Sequence, residues 1–270
     1  MRDLIFTVEN NVAKIVLNRP DSLNAFSLEM IDLWIEALET VRDSDDIRVL
    51  VLSGNGRGFC SGGDIKSMAK GDGFLQTNGT EDLSSTALAR KNSLWKKVQR
   101  IPLLVQEIDI PVIAVLHGVA FGAGFDMTLA CDIRIASENT KISESYLNVG
   151  IVPGDGAAWF LPRLVGTDKA LELLWNRTVL SAHEAKDMGL VTHVVKDEEL
   201  QEFVDQYINK LASGPQAAMR FTKRAVYQGL TMDLRTSYDM ISSAMGIVTE
   251  LEDYQEGVNA VVEKRKPNFK

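Results

Sequence analysis

Two cysteines in 270 residues, Cys60 and Cys131, are too few for a disulfide framework. A reducing compartment is the simpler reading, and it predicts a cytoplasmic protein. Long uninterrupted apolar runs are missing. The most apolar stretch, residues 111–125, contains His117 and three glycines and ends at Asp126. It reads as a buried strand and turn, not as a lipid span. The first residues, Met1-Arg2-Asp3-Leu4, lack the apolar stretch of a signal peptide. Basic charge is in short supply: 29 Lys and Arg stand against 37 Asp and Glu, for a net charge of −8. That balance argues against a nucleic-acid partner held by phosphate contacts, though not against a small anionic ligand gripped by local groups. His117, His183 and His193 are widely spaced and joined by no Cys or carboxylate cluster, so they predict no metal site. No Gly-x-Ser-x-Gly elbow, Gly-Lys-Ser/Thr phosphate loop or full GxGxxG fingerprint occurs.

What is present is a folded-protein composition, 45% apolar and 24% charged. Two β-rich runs, residues 4–8 and 12–17, flank Asn10-Asn11, a pair that tolerates the left-handed backbone of a tight hairpin. Apolar residues Leu28, Ile31, Trp34, Ile35, Leu38 and Val41 follow at helical spacing, with Ser27 as cap and Phe26 as staple. Residues 49–52 are fully apolar, as expected of a strand buried on both faces. Further helices are expected over 65–69 and 87–101, the latter stopping before Pro102, with strands over 111–116, 133–136 and 141–146. Residues 70–84 are polar and lack a period, so they read as a mobile surface loop or lid that shapes a pocket. Ser181-Ala182-His183-Glu184 is a capping box. The domain reading is a core over 1–197 and a helical region over 198–270. In that region Phe203, Tyr207, Ile208 and Leu211 form an apolar stripe that faces either the chain's own core or another subunit.

Two glycine-rich turns each follow a buried strand and precede a helix: Gly58-Phe59-Cys60-Ser61-Gly62-Gly63-Asp64, and Gly118-Val119-Ala120-Phe121-Gly122-Ala123-Gly124-Phe125-Asp126. Such places leave backbone N–H groups unpaired at the positive end of a helix, and glycine lets a ligand atom approach the bare backbone. Either turn alone reads as a tight connection. With Arg19-Pro20-Asp21-Ser22-Leu23-Asn24-Ala25, Ala130-Cys131-Asp132-Ile133-Arg134-Ile135-Ala136, Gly150-Ile151-Val152-Pro153-Gly154 and Met188-Gly189-Leu190-Val191, the pattern resembles the crotonase (enoyl-CoA hydratase/isomerase) superfamily, in order and spacing, to about residue 195.

The resemblance implies an α/β fold, a crotonase-like spiral of ββα units with a C-terminal helical trimerisation region, assembled as a homotrimer or a dimer of trimers. It implies an acyl-CoA substrate, no metal or redox cofactor, and an oxyanion hole made by the N–H groups of Gly63 and Ala123. CoA would run past Ser22, Leu23 and Ala25 and past Gly62, Asp64, Ile65 and Gly122. A hydratase of this family carries one Glu at the position of Asp126 and another at that of Tyr146, so the usual pair is absent here. Asp126, three residues after Ala123, is expected to face the thioester as the main acid/base, with Tyr146 lining the pocket. Two further acids stand near it. Glu144 precedes Tyr146 by two residues, on the same face of an extended strand; as a solvated strand residue it has no role. Asp155 lies in a turn where related isomerases and dehalogenases carry an Asp one residue earlier; its other reading is a helix N-cap. Trp159 and Phe160 are expected under the pocket floor, and Ser61 beside the glycines is a bystander. The expected activity is that of an enoyl-CoA hydratase. The alternatives are enoyl- or dienoyl-CoA isomerisation or acyl-CoA hydrolysis on the same fold, and, from another class, a non-catalytic trimeric scaffold.

Overall fold

The computed structural model describes residues 2–70 and 83–270, without the side chains of 83–86. The segment expected to form a lid lies, over 71–82, outside the described residues.

The chain opens with strands β1 (Leu4–Glu9) and β2 (Val12–Leu17), paired antiparallel. Asn10 and Asn11 turn the corner at φ 50° and 63°, as the asparagine pair predicts. Helix α1 (Leu28–Arg42) starts at Ser27, whose hydroxyl accepts the Met30 N–H. It buries Met30, Ile31, Trp34, Leu38 and Val41, and each large side chain contributes roughly 1.5–3 kcal/mol. Phe26 meets Trp34 edge-on, with centroids 5.9 Å apart.

Strand β3 (Val49–Gly54) runs parallel to β2, and helix α2 (Ile65–Lys70) follows the first glycine-rich turn. Helix α3 (Leu83–Ser93) widens into a π-turn at Leu94–Val98 before α4 (Arg100–Glu107). The helical path therefore runs through Pro102 instead of stopping before it. Pro102 is the third residue of α4, where its missing N–H costs nothing because first-turn N–H groups have no intrahelical acceptor. The π-turn is closed by the Gln99 N–H on Leu94 O at 2.9 Å, and it aims the Gln99 amide at Gly154 O, 2.7 Å away.

Next come β4 (Val112–Leu116), β5 (Val119–Phe121), α5 (Ala123–Leu129), β6 (Ile133–Ser137) and β7 (Lys141–Ser143). Strand β7 is shorter than the expected 141–146: Tyr146 opens a 3-10 turn over Tyr146–Val149, so Glu144 and Tyr146 do not share a strand face. Helices α6 (Ala157–Val165) and α7 (Thr167–Asn176), β8 (Val179–Ser181), α8 (Ala182–Asp187) and β9 (His193–Val195) complete the spiral. The capping box at Ser181 and Glu184 forms in full. One sheet has the order β1-β2-β3-β4-β6-β9, parallel after the first pair, and the other is β5-β7-β8. The parallel strands are apolar because both faces are covered.

Helix α9 (Leu200–Ala212) resolves where the apolar stripe goes. Val204 and Ile208 are buried against Val49, Val51, Ile113 and Ile135, so this first helix beyond 197 packs on the chain's own sheet. Helices α10 (Gln216–Gly229), α11 (Leu234–Val248) and α12 (Glu252–Glu263) bury only Ala260. Polar contacts tether α10: Lys223 Nζ lies 2.7 Å from Asp132 Oδ2, and Tyr227 donates to Asp132 Oδ1 at 2.8 Å.

Candidate active site

The two glycine-rich turns come together as one structure. Cys60 and Ala120 form a parallel bridge, with the Cys60 N–H on Val119 O at 3.0 Å and the Phe121 N–H on Cys60 O at 2.9 Å. The contact is close at Gly62, which has φ 86°; a Cβ there would lie 2.7 Å from Phe121 O and 3.1 Å from Ala123 N. Only glycine meets both the backbone angle and the approach. Gly122, at φ 49°, gives its N–H to Ser143 O and turns the chain into α5. The result is a cavity of about 470 Å³ lined by both Gly63 and Ala123. The N–H groups of these two residues make no hydrogen bond among the described residues.

Of the acidic candidates, only Asp155 lines that cavity, beside Tyr146. Asp126, expected to face a ligand, is instead fully buried behind the wall. Its Oδ2 accepts the Tyr146 hydroxyl at 2.6 Å and the Ala157 N–H at 2.9 Å. The reason lies in α5: its first residue, Ala123, is on the wall, so one turn later the side chain of Asp126 points at the start of α6. Asp126 therefore satisfies the first N–H of α6, and Asp155, the expected cap, makes no capping bond. The Asp155 carboxyl instead meets the same phenol, with Tyr146 Oη 2.9 Å from its Oδ2. Glu144 is 3% exposed, not solvated, and neither of its oxygens has a donor among the described residues.

Among the described residues no cation pairs with these carboxyls, and burial dominates their chemistry. Burial pushes Asp126 up to about 6, opposed by the bonds it accepts. Burial, and then the charge of Asp126, push Asp155 up to about 7. The same two causes hold Glu144 well above the usual carboxylate range. A carboxyl near 7 on a cavity wall suits general acid/base work at physiological pH.

Ile65 and Gly122 also line the cavity, as expected. Ser22, Leu23, Ala25, Gly62 and Asp64 lie outside its wall. Leu23 O takes the Ser61 N–H at 2.9 Å, which ties the 22–25 turn to the rim. Asp64 caps α2 through the Ser67 N–H at 3.0 Å and pairs with Arg19 at 3.3 Å; these bonds hold it below the usual range against the cost of burial. Trp159 is not under the floor: it is 53% exposed, with the Arg163 guanidinium stacked 3.2 Å above it. Ser61, read from sequence as a bystander, is on the wall, and sequence reasoning missed Ser143, Asn148 and Arg177 there. Nothing in their local pattern marks them, because the spiral brings them together from separate turns. His117 is held by Gly56 O at 2.9 Å and His193 by Phe203 and Tyr207, away from the cavity. Among the described residues no group of three or more His, Cys, Asp or Glu is arranged to hold a metal ion.

A spiral of strand pairs and helices whose glycine-rich turns share one cavity defines the crotonase fold class. Residues 7–270 match the family described as Enoyl-CoA hydratase/isomerase, and the chain belongs to that family. It is 33% identical over 268 residues to the crotonyl-CoA hydratase of Syntrophomonas wolfei, covering 99% of this chain and 97% of the relative. It is 34% identical over 269 residues to the 1,2-epoxyphenylacetyl-CoA isomerase of Escherichia coli, covering 100% and 98%. The crystal structure of an enoyl-CoA hydratase from Bacillus anthracis superposes with a TM-score of 0.85 at 33% identity, covering 99% of both chains.

Proposed function

We propose that the protein is an enoyl-CoA hydratase whose acid/base group at the cavity is Asp155. The observation that carries this is one cavity lined by Gly63 and Ala123, whose N–H groups have no partner among the described residues, together with Asp155 and Tyr146. A thioester oxygen held between two such donors accepts the charge that develops when water attacks C3, and each donor is worth about 3 kcal/mol in the transition state. Asp155, as carboxylate, takes one proton from the attacking water. The hydroxyl adds to C3, the enolate collapses, and the protonated Asp155 returns a proton to C2. The CoA portion runs past the 22–25 turn and the start of α2. The reaction calls for no metal or redox group.

Isomerisation is the second reading, favoured because among the described residues a single carboxyl lines the cavity where a hydratase has two. One carboxyl that lifts a proton from one carbon and delivers it to another is enough for that reaction. Turnover of crotonyl-CoA measured against 3-enoyl- and 3,5-dienoyl-CoA separates the two. If no substrate turns over and millimolar acetoacetyl-CoA gives no thermal shift, the scaffold reading takes their place.

The assembly reading is a homotrimer or dimer of trimers in the cytoplasm. Its support is apolar exposure on α11 and α12, where Leu234, Val261 and Val262 are 66%, 79% and 76% exposed. Among the described residues no helix is long and apolar enough to cross a membrane.

A further inference from the structure

The Tyr146 hydroxyl carries one hydrogen and lies within bonding distance of two carboxyl oxygens, Asp126 Oδ2 at 2.6 Å and Asp155 Oδ2 at 2.9 Å. One hydrogen cannot serve both, and two bare carboxylates around one phenol oxygen would repel it. One of the two acids must therefore hold a proton and donate it to Tyr146 Oη. In the first arrangement Asp155 is the acid: Asp155–H donates to Tyr146 Oη and Tyr146 O–H donates to Asp126. Asp126 Oδ2 then receives two donors, since it also takes the Ala157 N–H. In the second, Tyr146 O–H donates to Asp155, and Asp126 donates to Tyr146. The two differ only by hydrogens moving along existing bonds.

We propose that Tyr146 joins Asp155 and Asp126 into a single proton-sharing unit, in which Asp126 stores the proton that Asp155 gives up. The inference deepens the reading of Asp155 as the cavity's acid/base group and rests on it. The step balances. Asp155 passes its proton to Tyr146 Oη while the phenol proton passes to Asp126 Oδ2. The negative charge moves from Asp126 to Asp155, and the pair carries one negative charge before and after. Asp155 thus becomes a base facing the cavity without releasing a proton to water. The reverse shift draws charge back into the wall once Asp155 has taken a substrate proton. Asp126 is in this view a positioning residue, since it touches neither cavity nor ligand.

The surroundings suit such a unit. Among the described residues Asp126 Oδ1 and Asp155 Oδ1 are buried without a donor, as are both Glu144 oxygens, so three carboxyl groups crowd a site where burial penalises every charge. The titratable groups facing Asp155 are Asp126 from α5, Tyr146 and Glu144 from the segment after β7, and the Cys60 thiol from the first glycine-rich turn. Burial pushes the Cys60 thiol up to about 12, so it adds no charge. Burial and the charge of Asp126 push Glu144 well above the usual carboxylate range, which disfavours a third charge in the site.

The test needs no turnover. In protein labelled with 13C at the aspartate carboxyls, the Asp155 signal is assigned by its loss in Asp155→Asn and followed against pH in the wild type, Asp126→Asn and Tyr146→Phe. Circular dichroism checks the fold of each. Asp126→Asn removes the charge that raises Asp155 and leaves the phenol free to donate to it, so its midpoint falls by about one pH unit or more, a tenfold change in proton affinity. Tyr146→Phe removes the donor to the Asp155 anion, so the midpoint rises. Opposite displacements support the shared proton. A midpoint unmoved in either folded variant overturns it, and if one variant does not fold the other decides alone. Should the wild type turn over no acyl-CoA while the opposite displacements are seen, the unit stands and the hydratase reading fails.

Discussion

Gly62 and Ala123 lie so close that a single methyl group on the first would press on the N–H of the second, 3.1 Å away. The substitution Gly62→Ala also forces alanine into a φ of 86°. It is expected to lower kcat/KM on crotonyl-CoA about 100-fold through displacement of that donor, and to cost about 1–3 kcal/mol of stability. Kinetics paired with urea denaturation check both; unchanged kinetics in a folded variant would mean that the Ala123 N–H takes no part.

Asp155→Asn is expected to lower turnover at least about 1000-fold while CoA-thioester binding, followed by thermal shift, stays within about threefold. The sign of the pH dependence follows from the base role. Asp155 can accept a proton only when the Asp126–Asp155 pair holds a negative charge, and burial raises the two groups to about 6 and about 7, so kcat/KM rises with pH as the pair ionises through that region. A wild-type profile flat between pH 5.5 and 8.5 would contradict the assignment.

Glu144 couples the cluster to stability. Its folded pKa is raised, so the native state holds a proton that the unfolded chain releases once pH exceeds the usual glutamate range. The stabilisation is complete at acid pH and is lost as pH rises toward the folded value. Glu144→Gln removes that linkage. The variant is expected to match the wild type near pH 4 and to exceed it by about 1–3 kcal/mol near pH 9. Melting curves at the two pH values read the difference directly, and a Gln variant equally weakened at both would refute it.

Arg134 is buried with no carboxylate partner among the described residues; its guanidinium donates instead to Leu190 O at 2.7 Å, Thr128 O at 3.0 Å and Cys131 O at 2.7 Å. It ties the end of α5 to the approach to β9. A lysine supplies one compact ammonium in place of a planar fork, so Arg134→Lys is expected to cost about 2–4 kcal/mol in a urea titration.

The exposed valines of α12 bear on assembly. Under the proposed trimeric assembly, Val262→Glu is expected to shift the protein toward monomer in sedimentation with its helical signal retained, because a charge in an apolar interface core is poorly tolerated. A variant that still sediments as a trimer would place the interface elsewhere.

The hairpin, α1 and the parallel strands were legible in the sequence because each is fixed locally, by Asn10-Asn11, by Ser27 and its apolar stripe, and by Val49 to Leu52. The glycine-rich turns were legible as a pair only through the family resemblance. The error at Asp126 has a plain cause: spacing from Ala123 gives the side of a helix but not what lies across from it, and α6 arrives from thirty residues away. Glu144 was misjudged because the end of β7 depends on where Tyr146 must go to meet two acids. The path through Pro102 was missed because the π-turn before it leaves no mark in the pattern of apolar residues.

The wide turn between α3 and α4 has one more effect. Through it the Gln99 amide grips Gly154, the neighbour of Asp155, while Leu94 on the same turn sits on the cavity wall. Under the proposed reading, an acyl tail that reached Leu94 would press on the same turn that holds the peptide before Asp155, so tail size and the setting of that carboxyl would be linked through one contact.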